Sequence, residues 1–143
     1  MTTRVSFYVL SEQGDGAREA FACRLVDKAW QQGLSVQVRC EDEAAVQGMD
    51  ELLWRFSDRS FVPHEIAPAG EDPAPVLLAR EPLPQPADLL VNLTADLPVD
   101  FIQHGRVVEL IAGDETSKLA GRERYRRYRE AGAELETFDL GRG

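Results

Sequence analysis

The chain has 143 residues, 43% of them hydrophobic, which is the size of one domain and enough to bury roughly two-thirds of the unfolded surface around one core. Charged residues make up 29% of the chain and are scattered rather than blocked, and no apolar run approaches the roughly 18 residues that a membrane helix requires. The formal net charge of -9 repels a phosphate backbone at long range, so direct nucleic-acid binding would need a strong local exception. The start, Met1 to Val5, lacks the apolar segment and small-residue cleavage site of a secretory signal. Cys23 and Cys40 sit in no CxxC or metal-spaced cluster, so both are expected to be free thiols of a cytoplasmic protein.

Val5 to Leu10 is an apolar, β-branched and aromatic run that ends in a glycine-containing turn, Ser11 to Gly16; this predicts a strand followed by a loop. From Ala17 to Gln32, Ala22, Leu25, Val26, Ala29 and Trp30 recur at helical steps, and Gly33 supplies a stop. Leu34 to Val38 alternates like a strand and leads into Cys40-Glu41-Asp42-Glu43, whose carboxylates suit the positive end of a following helix. In that second helix Val46, Met49, Leu52, Leu53 and Phe56 form one apolar stripe. Trp54 lies off the stripe, a position that fits either a partly exposed ring or one packed at the helix margin.

Between residues 57 and 75, Pro63, Pro68, Gly70, Pro73 and Pro75 exclude long regular elements, and residues 80–87 form a second proline-rich connection. Val76 to Ala79 and Leu89 to Leu93 are short runs of buried-strand type, and Thr94 to Phe101 reads as a short helical turn or loop. Arg106 to Ala112 is a further strand. Asp114 opens a last helix that runs to about Ala131 and stops at Gly132, and Glu134 to Asp139 suits an edge strand. Strands alternating with helices predict one α/β domain over residues 1–143, Rossmann-like and three-layered, with a mainly parallel sheet and helices on both faces.

Such a fold raises the alternative of a nucleotide-binding enzyme at Gly14-Asp15-Gly16, between the first strand and helix. The third glycine of a dinucleotide fingerprint is missing, and so is the GxxxxGK[ST] of a P-loop. His64 and His104 have no second histidine or cysteine at metal-ligand spacing, and no GxSxG elbow occurs. The expectation is therefore no catalytic residue, no metal and no cofactor.

The last helix carries the unusual chemistry. Between residues 118 and 129, Lys118, Arg122, Arg124, Arg126, Arg127 and Arg129 stand against one acid, Glu123, a net +5 that leaves -14 on the rest of the chain. A solvated helix in an acidic protein normally mixes both signs. At about 100° per residue, Lys118, Arg122, Tyr125 and Arg129 fall within roughly 60° of one another, a basic stripe holding one tyrosine. Guanidinium groups take carboxylates bidentately and the ring offers an apolar face, so the stripe suits a peptide with carboxylates and an aromatic residue. The surrounding negative charge opposes nucleic acid.

Cys40-Glu41-Asp42-Glu43, Leu53-Trp54, Phe61-Val62-Pro63-His64 and the helix Arg122-Glu123-Arg124-Tyr125-Arg126-Arg127-Tyr128-Arg129 occur in an order that resembles the chi subunit of bacterial DNA polymerase III. The resemblance covers nearly the whole chain. It implies a non-catalytic accessory subunit that binds the psi subunit, and through it the clamp loader. It also implies binding of the acidic, Phe-ended C-terminal tail of single-stranded DNA-binding protein, so that DNA is contacted only indirectly and no membrane is involved. Carried over by position, the tail-binding residues would be Trp54, Phe61, Ile111, Lys118, Arg122, Tyr125 and Arg129. Gly121 departs from the better helix former usual there, at a cost of about 1 kcal/mol relative to Ala, and the segment from Ile66 to Pro75 is poorly matched.

Overall fold

In the computed structural model, residues 3–11, 16–56 and 62–140 are described. The elements run β1 (Arg4–Val9), α1 (Ala17–Gln31), β2 (Val36–Arg39), α2 (Glu43–Arg55), β3 (His64–Ile66), β4 (Val76–Ala79), β5 (Leu89–Asn92), a 3-10 turn (Phe101–Gln103), β6 (Arg106–Ile111), α3 (Glu115–Glu130) and β7 (Glu134–Asp139). The seven strands form one sheet in the order β3-β4-β2-β5-β6-β1-β7. Every pairing is parallel.

Strand alternation divides the core between two faces. Val108 and Leu110 of β6 join a cluster with Val26 of α1 and Met49 and Leu53 of α2. Val107 and Ile111, one residue out of step, join Val5, Phe7 and Tyr128 of α3 in a second cluster. Helices α1 and α2 thus cover one face and α3 the other, which makes a Rossmann-like three-layer α/β fold. Cys23 and Cys40 are free thiols in the first cluster, and burial pushes both up to about 12. No helix among the described residues is long and apolar enough to cross a membrane.

The helix ends follow local chemistry. The Asp42 side chain accepts from the Ala45 N–H at the start of α2 (2.8 Å), and Asp114 accepts from Ser117 N–H at the start of α3 (3.0 Å). Gly33 and Gly132 take φ of 81° and 88° just beyond α1 and α3, where a side chain would be strained.

One element departs from expectation. The stretch from 57 to 75 contains β3, a three-residue edge strand paired only with β4. It is too short to show a period and lies between Pro63 and Pro68, so its sequence looks like a loop. The segment from Thr94, expected to be a short helical turn or loop, is loop as far as Asp100, and a 3-10 turn follows at Phe101–Gln103.

Over β2 the third layer is built from chain rather than helix. Arg39 is buried in the strand and donates two hydrogen bonds to Asp100, both 2.9 Å, across to the 3-10 turn. His104 Nδ1 accepts from the Ala87 N–H at 3.0 Å, so its proton sits on Nε2, which donates to Asp100 Oδ2 at 2.9 Å. Burial alone would raise the Asp100 carboxyl, but the hydrogen bonds from Arg39 and His104 outweigh it and hold the group at about 2 against an ordinary 3.8. A depressed carboxyl stabilises the fold in full above about pH 4, and that contribution drains away as pH falls toward 2. The gap is worth about 2 kcal/mol. Urea unfolding of wild type and Asp100→Asn between about pH 5 and pH 2 is expected to show their difference in stability shrinking by about that amount; a difference independent of pH would contradict it.

Candidate functional site

The buried side of α3 consists of Gly121, Arg124 and Tyr128, a stripe that hydropathy does not mark as a core face. Its counterpart is Glu109, fully buried in the middle of the apolar strand β6. Arg124 Nε donates to Glu109 Oε1 at 3.0 Å, while Tyr128 Oη and Asn92 Nδ2 donate to Oε2 at 2.6 and 2.7 Å. Arg124 also donates to the Ala95 carbonyl at 3.3 Å. Burial raises the Glu109 carboxyl above the usual range, with Arg124, Asn92 and Tyr128 acting against it. Burial, then the Glu109 carboxylate, pushes the Tyr128 phenol up. Rings lock the same seam: Phe7 lies 5.3 Å from Tyr125 and 5.9 Å from Tyr128, and Phe101 meets Tyr128 edge-on at 5.1 Å.

With Arg124 and Tyr128 held inward, the neighbouring stripe of α3 faces a groove above β1 and β7. This groove, about 350 Å³, is lined by Phe7, Val9, Ile111, Gly121 and Tyr125, with Lys118 and Arg122 from α3 on one side and Thr137 and Asp139 from β7 on the other. Four residues expected from sequence therefore meet here: Ile111, Lys118, Arg122 and Tyr125. Arg129 is exposed one turn beyond Tyr125 and lines no part of the groove. Phe61 lies outside the described residues.

Trp54 requires a correction. It is 58% exposed on α2 and stands edge-on to His64 at 5.3 Å, but α2 packs on β3, β4 and α1, on the face opposite α3. It is not among the residues that line the groove beside Arg122. Sequence order puts aromatic and basic motifs in one chain and does not say which face of the sheet each helix takes. The residues that sequence reasoning missed, Phe7, Val9, Thr137 and Asp139, sit at alternate positions of β1 and β7; the period of two was their signal.

A larger crevice of about 710 Å³ opens at the carboxyl ends of the strands, lined in part by Gly16, Arg18, Glu19, Glu41, Thr94, Asp114 and Arg124. Connections leave the adjacent β1 and β6 toward opposite faces there, which is where doubly wound folds bind nucleotides. The lining does not favour a phosphate group. Arg124 is already taken by Glu109 and Ala95, Arg18 lies 3.9 Å from Glu19, and three acids border the space. Gly14 and Asp15 lie outside the described residues. The histidines carry structural contacts: His64 lies 3.2 Å from Asp50 and His104 holds Asp100.

The fold and the groove define a parallel α/β protein with a ring-lined, cation-edged surface recess. The chain matches the family described as "DNA polymerase III chi subunit, HolC" over residues 1–136. It is 40% identical over 141 residues to DNA polymerase III subunit chi of Pseudomonas aeruginosa, covering 98% of this chain and 99% of the relative. The proteins of the same name from Haemophilus influenzae and Escherichia coli (strain K12) are each 32% identical, covering 99% and 92% of this chain and 100% and 95% of their own. This chain belongs to the chi subunit family of DNA polymerase III.

Removing one partner of a buried ion pair leaves the other charge uncompensated and typically costs about 3–5 kcal/mol. Arg124→Ala is accordingly expected to lower the free energy of unfolding by about that much, while Arg127→Ala, at an exposed site on the same helix, changes it by less than about 0.5 kcal/mol. Denaturant titration of both variants checks this; equal, small effects would remove Glu109–Arg124 from its structural role.

Proposed function

We propose that this chain is a cytoplasmic, non-catalytic accessory subunit of the replicative DNA polymerase III holoenzyme. It joins the clamp loader, through the psi subunit, to the acidic C-terminal tail of single-stranded DNA-binding protein, and meets DNA only through its partners. The observation that carries tail capture is the groove itself: Lys118 and Arg122 stand beside a recess lined by Phe7, Ile111 and Tyr125. An apolar ring enters the recess and carboxylates meet the cations, the lysine as a point charge and the arginine as a planar fork. The acidic remainder of the chain discourages a nucleic-acid backbone from the same cations. Tail capture here involves α3, β1 and β7.

Titration calorimetry with an acidic peptide ending in Phe tests this reading. Arg122→Ala and Lys118→Ala are each expected to weaken binding about 5- to 10-fold, equivalent to about 1–1.4 kcal/mol. Added salt should weaken the wild-type interaction, because the contacts at the rim are between charges near solvent. Undiminished affinity in both variants, or a loss confined to Trp54→Ala, would contradict the assignment of the groove.

A further inference from the structure

Gly121 sits mid-helix, buried, and without the positive φ that calls for glycine elsewhere in the chain. The reason for it is contact. A β-carbon at this position would stand 2.7 Å from Ile111 Cδ1, 3.2 Å from Cγ1 and 3.4 Å from Cγ2, well inside the 3.5–4.0 Å at which carbons pack. The space that any other residue would occupy is filled by Ile111, which reaches up from β6 beneath α3. Both residues border the groove.

We infer that Gly121 and Ile111 together set the depth of the groove and so select an aromatic end for the acidic peptide that enters it. This deepens the tail-binding reading and rests on it. A cavity of about 150 Å³ suffices for a benzene ring, so a groove of about 350 Å³ takes one ring and has room left for the group that carries it. Its floor is the surface that Gly121 and Ile111 make against Phe7, Val9 and Tyr125.

Helix α3 cannot back away to admit a larger residue, because Arg124 and Tyr128, one and two turns on, are bound to Glu109. A methyl at 121 must instead displace the Ile111 side chain. That side chain lies between the groove and the neighbouring crevice, lining both, and movement in either direction remakes the surface on which a ring would rest.

The test compares two peptides of the same acidic sequence, one ending in Phe and one in Ala, by calorimetry on the full chain. Wild type is expected to prefer the Phe-ended peptide by about tenfold or more, the scale at which apolar pockets discriminate. Gly121→Ala should lose most of that preference and leave the weaker Ala-ended binding nearly unchanged. Adding Ile111→Val, which deletes the carbon at 2.7 Å, should restore at least half of it. Arg122→Ala should weaken both peptides alike. If Gly121→Ala matches wild type while Arg122→Ala weakens binding, the depth inference fails and tail capture stands. If wild type binds neither peptide, tail capture fails and the depth inference falls with it. Should Gly121→Ala melt before it can be titrated, Ile111→Val alone decides: a deeper floor shifts preference from a Phe-ended toward a Trp-ended peptide, and an unchanged ratio overturns the inference.

Discussion

A carboxylate with no access to water must be met by donors on every side, and in this protein that requirement falls on Glu109. The strand that carries it is apolar on both sides of it, so the charge cannot escape by a small backbone shift. Arg124, Tyr128 and Asn92 supply the donors, two of them from α3 and one from β5. The helix is thereby fixed in rotation and in height over the sheet. A buried ion pair is weak evidence for stability, because desolvation offsets most of the attraction. What it supplies here is geometry, since any rotation of α3 would leave a charge unpaired in the core.

That geometry decides which of the cations on α3 are available. Arg124 is consumed inside. Arg126 is held by Glu123 at 2.6 Å and approached by Glu130 at 3.4 Å on the exposed side, where such pairs add little stability but still occupy the guanidinium. Lys118 and Arg122 are left at the edge of the groove, while Arg127 and Arg129 are exposed in the last turn, where cations suit the negative end of the helix dipole. The net charge of the segment thus overstates what a partner would meet. The recess depends on position: two cations on α3, a ring on each side of the helix–sheet seam, and a glycine that lets an isoleucine fill the space below.

Much of this architecture could be read from the chain itself. The alternation of strand and helix periods, the caps at Asp42 and Asp114, and the stops at Gly33 and Gly132 are local signals, and local interactions produced those elements. The short β3 escaped because its formation depends on pairing with β4, a tertiary event without a local period. The inner face of α3 escaped for a different reason. Gly121, Arg124 and Tyr128 look solvated by hydropathy, and only the matching acid in Val107-Val108-Glu109-Leu110-Ile111 reveals that the arginine points inward. In the site, the cationic stripe was legible because helical spacing is a property of one segment. The separation of Trp54 from Arg122 was not, because it depends on which side of a sheet each of two distant helices packs.

In the proposed function, a helix pinned by Glu109 presents cations beside a ring-lined groove that takes an acidic, aromatic-ended peptide. Amide chemical-shift mapping of the full chain during titration with such a peptide reads this most directly. The largest changes are expected to cluster at Val9, Ile111, Gly121, Arg122, Tyr125 and Thr137, on α3 and the strands beneath it. Changes centred on Trp54 and His64, with the α3 groove unperturbed, would contradict it.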